Sequence, residues 1–103
     1  MDLSIIIVSW NTQELLRKCL NSIYQNSAGL DLEILVVDNN SSDQTTQMIQ
    51  ANFKKVKLIS NHKNLGFAKA NNQALKLATG RYVLLLNPDT EILPTSLSQA
   101  MAY

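Results

Sequence analysis

The sequence predicts an α/β domain built on a doubly wound, mostly parallel sheet with helices on both faces. Three observations carry this. Four short runs of strand character recur along the chain, at Leu3–Ser9, Leu32–Val37, Val56–Ser60 and Arg81–Leu86. Leu3–Ser9 is a continuous, β-branched run rather than an alternating one, as expected of a strand buried on both faces, and Leu32–Val37 reads as a second buried strand. Stretches of helical period separate them, joined by short polar turns, which is the order a parallel sheet with crossover helices requires. With 103 residues the chain has room for one domain and one modest core.

The helical stretches can be justified in turn. Asn11 stands where a cap for the first helix belongs, with Glu14 three residues later as in a capping box. Leu15, Leu16, Cys19, Leu20 and Ile23 then fall on one face. Ala28-Gly29 breaks the chain before the second strand. Ser41 or Ser42 caps a second helix, with Asp43 favourable in its first turn and Met48, Ile49 and Phe53 facing inward. Phe67, Ala70, Ala74, Leu75 and Ala78 mark a third helix, which Gly80 ends as a left-handed cap. Pro94 suits the first turn of a final helix carrying Leu97, Ala100 and Met101.

Composition narrows the function classes. The apolar fraction of 46% and charged fraction of 17% are ordinary for a soluble globular protein. The net charge of +1 arises from 9 basic and 8 acidic residues dispersed along the chain, so no basic patch points to nucleic acid. The longest apolar runs, Ile5-Ile6-Ile7-Val8 and Val83-Leu84-Leu85-Leu86, are too short to span a bilayer. Asp2 follows Met1, so no basic segment leads into a signal peptide, and the expected location is cytoplasmic. A single Cys19 excludes an internal disulfide and a cysteine metal cluster.

In an open parallel sheet, ligands bind outside the carboxyl ends of the strands, where the strand order reverses. Those ends read Ser9-Trp10-Asn11, Asp38-Asn39-Asn40, Asn61-His62-Lys63-Asn64 and Asn87-Pro88-Asp89. Turn and cap chemistry accounts for any one of them; four polar ends together favour a site. The first turn holds no glycine, so the backbone approach of a dinucleotide fingerprint is missing, as is a P-loop. Phosphates would then be neutralised by a divalent cation held on carboxylate oxygen. Asn87 and Asp89, two residues apart, offer an amide oxygen and a carboxylate for it.

Four blocks in order carry a family resemblance: Ser4–Asn11, Val36–Asp43, Asn64-Leu65-Gly66-Phe67-Ala68 with Asn71, and Leu85–Asp89. They resemble the successive signature segments of family-2 glycosyltransferases, whose GT-A fold has a Rossmann-like nucleotide-binding half. The Asn-Pro-Asp and Asn-Leu-Gly-Phe-Ala forms are similar to the rhamnosyltransferase-like branch that works in cell-surface polysaccharide assembly. The resemblance implies a nucleotide-diphosphate sugar as donor, Mg²⁺ or Mn²⁺ as cofactor, and a glycan or lipid-linked acceptor for the parent enzyme. It implies that Asp38 contacts a pyrimidine base and that Ser9, Trp10 and Asn11 line the nucleoside pocket. Asn40 and Asp43 would order that loop, and Asn64, Gly66 and Asn71 would shape the pocket near ribose and diphosphate. Asp89 corresponds to the metal-binding last residue of the family's Asp-x-Asp motif. Asn87 replaces its first Asp, so metal binding would rest on Asp89.

Plainer readings stand beside these. Asp43 equally suits a helix cap, Asn71 a bond to a neighbouring loop, and Trp10 packing at a strand end; His62 beside Lys63 reads as solvated. The family's catalytic base and acceptor pocket follow the metal motif. Residues 1–103 are therefore expected to be the donor-binding N-terminal part of the domain, with no catalytic residue and no sugar transfer alone, and the parent enzyme could be membrane-peripheral. A non-catalytic nucleotide-binding or interaction module is the alternative. A phosphoacceptor receiver domain would need acidic residues where Ser9-Trp10 stand. A homodimer is expected through an exposed edge strand at Tyr82–Leu86 or through the C-terminal helix.

Overall fold

The computed structural model describes residues 2–27 and 29–90. Seven elements follow in order: β1 (Leu3–Ser9), α1 (Gln13–Gln25), β2 (Leu32–Asp38), α2 (Thr45–Asn52), β3 (Lys57–Ser60), α3 (Phe67–Leu75) and β4 (Tyr82–Leu86). The four strands form one sheet in the order β3-β2-β1-β4, and every pairing is parallel. The chain winds outward from β1 to β3, then α3 carries it back across the sheet to the far side of β1. Strand order therefore reverses between β1 and β4.

Alternation along the strands divides the core between two faces. Leu3, Ile5 and Ile7 of β1 with Ile34 and Val36 of β2 pack against Leu16, Cys19, Leu20 and Ile23 of α1 and Met48, Ile49 and Phe53 from α2 and its end. On the other face Ile6, Leu35 and Val37 meet Ala70 and Ala74 of α3. The small alanines let that helix lie close to the sheet. Fully burying each of the larger aliphatic side chains contributes about 1.5–3 kcal/mol, so the two clusters together dominate the favourable free energy.

Several local expectations are corrected. Helix α1 starts at Gln13 behind Thr12, with no side-chain cap, because Asn11 sits in the left-handed region at φ 52 and turns its side chain to a neighbouring loop. Leu15, Phe67 and Leu75 point outward, whereas Asn71 takes a buried position on α3. Neither Ser41 nor Ser42 caps α2. Gln44 stands at the cap position without a side-chain cap, and Asp43, one residue ahead, accepts at its Oδ1 from the backbone N–H and hydroxyl of Thr45. Helix α3 ends at Leu75, ahead of Gly80, and Gly80 has no left-handed conformation. A glycine is needed there for close approach, since a Cβ would lie 2.5 Å from the Ser4 nitrogen. The final helix expected from Pro94 onward lies outside the described residues.

What fixes β4 against β1 is a buried carboxylate. Glu33 of β2 accepts hydrogen bonds from Ser4 Oγ at 2.6 Å, Lys57 Nζ at 2.6 Å, and the backbone N–H and hydroxyl of Thr79 at 2.6 and 2.9 Å. Ser4 Oγ in turn accepts from the Gly80 N–H at 2.8 Å. Three strands and the α3–β4 connection thus share one charge. Burial raises the Glu33 pKa, but the hydrogen bonds from Lys57, Ser4 and Thr79 outweigh it and bring the carboxyl down to about 2.

A carboxyl depressed in the folded state stabilises fully above its unfolded value of 4.5 and loses that contribution as pH falls toward 2. The loss is on the order of 3 kcal/mol. Urea unfolding at pH 6 and pH 3 should show a steep loss of stability for the native chain. The Glu33→Gln variant should start less stable and vary less over the same interval.

Candidate functional site

All four strands point their carboxyl ends the same way, so the polar strand ends fall on one edge of the sheet. Ser9 pairs directly with Asp38, and Ile7 with Leu86, so the Asn87-Pro88-Asp89 segment leaves β4 alongside the end of β1. Ser9, Asp38 and Asp89 are thereby brought to the same edge, with the crevice of strand reversal between β1 and β4.

The loops along this edge are clasped to one another. The Asn11 N–H donates to Ser41 Oγ at 2.9 Å, and Asn11 Oδ1 accepts from the Ser42 N–H at 2.7 Å and its hydroxyl at 3.2 Å. The Gln13 N–H donates to Asp43 Oδ2 at 3.3 Å, and Gln13 Oε1 accepts from the Gln44 N–H at 3.2 Å. Asn11 and Asn40 both hold positive φ, at 52° and 67°, a conformation that asparagine tolerates better than most residues. Asp43 is held below the usual carboxylate range: burial raises it, and the bonds from Thr45 and Gln13 outweigh that.

Asp38 is 1% exposed. Its Oδ1 accepts from the Ser41 hydroxyl at 2.5 Å and its Oδ2 from the Ser41 N–H at 3.0 Å. The carboxylate thus ties down the start of the β2–α2 loop three residues on and keeps only its remaining lone pairs for a ligand. Ser9 is likewise buried, its hydroxyl 3.0 Å from that of Thr12. The expected site residues therefore divide into two sets. Ser9, Asp38 and Asn71 are buried and shape the edge; Trp10, Asn11, Asn40, Asn64, Gly66, Asn87 and Asp89 are exposed on it. Trp10, 54% exposed, does not pack at the strand end.

A second network lies under the β3–α3 loop and was not singled out from the sequence. Asn39 is 2% exposed. Its Nδ2 donates to the Gly66 carbonyl at 3.2 Å, and its Oδ1 accepts from Asn61 Nδ2 at 3.0 Å and the Leu65 N–H at 3.5 Å. Asn61 and Gln73 exchange amide hydrogen bonds at 2.8 and 3.0 Å. Asn64 Oδ1 accepts from the Gly66 N–H at 2.8 Å, and Gly66 takes φ 83 to start α3. Consecutive asparagines after a strand were the available signal. One must point inward when the next takes a left-handed turn.

The segment after β4 is a tight turn. The Thr90 N–H donates to the Asn87 carbonyl at 3.0 Å, with Pro88 and Asp89 as the central residues. The same carbonyl is approached by Cys19 Sγ of α1 at 4.0 Å. Burial, and then the Asp89 charge, push the Cys19 thiol up to about 11. Asp89 itself is exposed and its carboxylate makes no hydrogen bond among the described residues. Nor do the described residues contain a group of three or more His, Cys, Asp or Glu able to hold a metal. Asp89 thus presents a single free carboxylate, which suits a cation that keeps waters and takes its other ligands from a substrate diphosphate.

Residues 4–103 match the family described as Glycosyl transferase family 2. The chain belongs to this family. Among family relatives, the chain is 39% identical over 103 residues to the GalNAc(5)-diNAcBac-PP-undecaprenol beta-1,3-glucosyltransferase of Campylobacter jejuni, covering 96% of this chain and 33% of that enzyme. Staphylococcus aureus TarS, solved in complex with UDP-GlcNAc, superposes with a TM-score of 0.85 at 31% identity, over 99% of this chain and 30% of that one. The mannosyltransferase PcManGT of Pyrobaculum calidifontis, in complex with GDP-Man and Mn²⁺, superposes with a TM-score of 0.85 at 28% identity, over 95% of this chain and 30% of that one. The expected GT-A fold is the fold observed, and the chain spans about a third of each of these relatives. No helix among the described residues is long and apolar enough to cross a membrane.

Truncating Asn39 would leave the Leu65 N–H and one N–H of the Asn61 amide unpaired, while the Asn61 amide keeps Gln73 and the Gly66 carbonyl keeps the Ala70 N–H. Leaving buried polar groups unpaired costs about 1–3 kcal/mol. Asn39→Ala should lower stability by that amount, and hydrogen exchange should reveal lost protection at Leu65 while β1 amides stay protected.

Proposed function

We propose that this chain is the donor-binding part of an inverting glycosyltransferase that holds a pyrimidine nucleoside-diphosphate sugar, with a divalent cation on Asp89. The observation that carries the reading is the free Asp89 carboxylate at the reversal crevice, on the same edge as Ser9 and Asp38. Support comes also from the superposition on TarS with its UDP-GlcNAc. In this reading the nucleoside lies over the β1 and β2 ends, with Trp10 and Asn11 lining it and Asp38 reaching the base. Asn40 and Asp43 order that wall, while Asn64, Gly66 and Asn71 bound the ribose and diphosphate side. Asn87 and Asp89 face the diphosphate.

In inverting transfer the acceptor hydroxyl oxygen bonds to the anomeric carbon as the carbon–oxygen bond to the diphosphate breaks. The diphosphate leaves with the electron pair, and a general base takes the hydroxyl proton. A bound Mg²⁺ or Mn²⁺ supplies Lewis-acid neutralisation of the leaving group. Asp38 and Asp43 are already bonded to Ser41, Thr45 and Gln13, so neither is spare to act as the base. We therefore assign the base and the glycan or lipid-linked acceptor site to sequence beyond this donor-binding part, and expect no transfer by the chain alone. A non-catalytic nucleotide-binding module shares the donor site and differs in having no such partner region. The membrane-peripheral setting of the parent enzyme is part of the same proposal.

Among the described residues β4 has one open edge, with Tyr82, Val83 and Leu85 roughly half exposed. We propose that a second copy of the chain covers it. In light scattering at tens of micromolar, expected to show twice the chain mass, a constant 11.5 kDa would instead mean that the edge is covered within one chain.

The functional reading is tested by calorimetric titration with UDP or dTDP, with and without Mn²⁺. Binding should strengthen with the metal, and Asp89→Ala should remove that increment while leaving the metal-free affinity nearly unchanged. Equal affinity in both conditions for the native chain would reject the metal role.

A further inference from the structure

One cavity among the described residues lies away from the carboxyl edge. It is a groove between α1 and the end of α2, about 390 Å³ in volume, lined by Asn21, Tyr24, Asn52, Phe53, Lys54 and Lys55. A smaller hollow of about 200 Å³ continues it toward Arg17 and shares Asn21, Asn52 and Phe53. The sequence pattern explains how it forms. Arg17, Asn21 and Tyr24 recur at helical spacing on the side of α1 next to its core-facing stripe, so they face α2 rather than the sheet. Phe53, just past α2, stacks on Tyr24 with ring planes 10° apart and centroids 6.0 Å apart.

Two features describe what this groove would hold. First, every charged residue lining either hollow is a cation: Arg17, Lys54 and Lys55. Second, Arg17 carries a donor without a partner. Its Nη2 lies 3.3 Å from Glu14 Oε1, whereas its Nε is buried and makes no hydrogen bond. A buried N–H of a charged group left unpaired is costly, and because the Arg17 side chain is 44% exposed, a small turn of it would bring this N–H to an acceptor in the hollow. The apolar part is recessed rather than protruding, with Phe53 only 8% exposed. A flat bilayer surface cannot reach such a ring, whereas one small molecule can fill the space; the volume falls within the usual range of ligand sites.

We propose that the α1–α2 groove is a second ligand site, for a small amphiphilic anion: a planar apolar group that lies against Tyr24 and Phe53 and carries one acidic substituent for Arg17, Lys54 and Lys55. The aromatic end of the groove is remote from the nucleotide edge. Gln13, at the start of α1, belongs to the loop clasp, and Tyr24 lies eleven residues further on, about 16 Å along the helix axis. Both sites can be filled at once, and the proposal does not rest on the donor-binding reading.

The test is an NMR titration of the ¹⁵N-labelled protein, including the Arg17 Nε–H resonance, with indole-3-acetate as the probe and neutral indole-3-acetamide as its control. The acid should give saturable shifts at Asn21, Tyr24 and Asn52–Lys55 and a moved Arg17 Nε–H, with affinity about tenfold above the amide. Arg17→Gln, a half-buried surface change, should reduce the acid to the level of the amide while UDP binding stays the same. Equal affinity for acid and amide, shifts that centre elsewhere, or no saturation would overturn the proposal. So would a short acidic peptide with a tryptophan binding in preference to the small acid, because the groove would then belong to a protein partner.

Discussion

The position of the candidate site depends on the buried charge of Glu33. The return crossover through α3 is the one connection that must span the sheet, and it delivers β4 to the far side of β1. Nothing in the apolar pattern of Tyr82–Leu86 fixes that strand along its neighbour, because a slide by two residues would keep the same faces inward. The Glu33 carboxylate supplies the missing constraint. By accepting from Thr79 and Ser4, with Gly80 pressed against the Ser4 backbone, it sets where β4 begins. The strand then carries that setting to its other end, where Asn87 and Asp89 emerge. A buried carboxylate is costly unless its hydrogen bonds are complete, and four donors together with the Lys57 charge make it so.

The same division of labour holds at the carboxyl edge. Its buried and half-buried polar groups are engaged with protein: Asp38 with Ser41, Asn39 with Gly66 and Asn61, Asp43 with Thr45 and Gln13. These bonds hold three loops without any secondary structure in them. Asp89, Asn87 and Trp10 are exposed, and in the proposed reading they meet the ligand. A rigid arrangement of this kind lowers the ordering cost of binding, since the loops are positioned before the ligand arrives.

Much of the fold was legible because strand burial and helical period are local signals. β1 was bounded correctly, and the other strands to within one residue, since each is a short apolar run between polar turns. The winding was legible from the alternation of elements. Caps and facing were less so. Asn11 reads as a cap in isolation, but a partner loop thirty residues away takes its side chain. Gly80 reads as a helix end, but its reason is contact with Ser4 across the sheet. Glu33 sits inside an apolar run where nothing in the sequence tells of Lys57 and Thr79 converging on it. Asn39 resembles its neighbour Asn40 in sequence and differs from it entirely in burial. In each case a non-local hydrogen bond decided the matter, and a one-dimensional pattern does not contain it.

The central claim is that Asp89 holds a divalent cation beside a nucleoside diphosphate at the β1–β4 crevice. Paramagnetic broadening by Mn²⁺ in the presence of UDP reads this most directly, because the effect falls off steeply with distance from the ion. The account predicts that amides of Asn87, Asp89 and Thr90 and of the β1 end vanish first, that Asp89→Ala abolishes the effect, and that Lys54 and Lys55 stay sharp. Broadening centred on any other part of the molecule, or unchanged by Asp89→Ala, would contradict it.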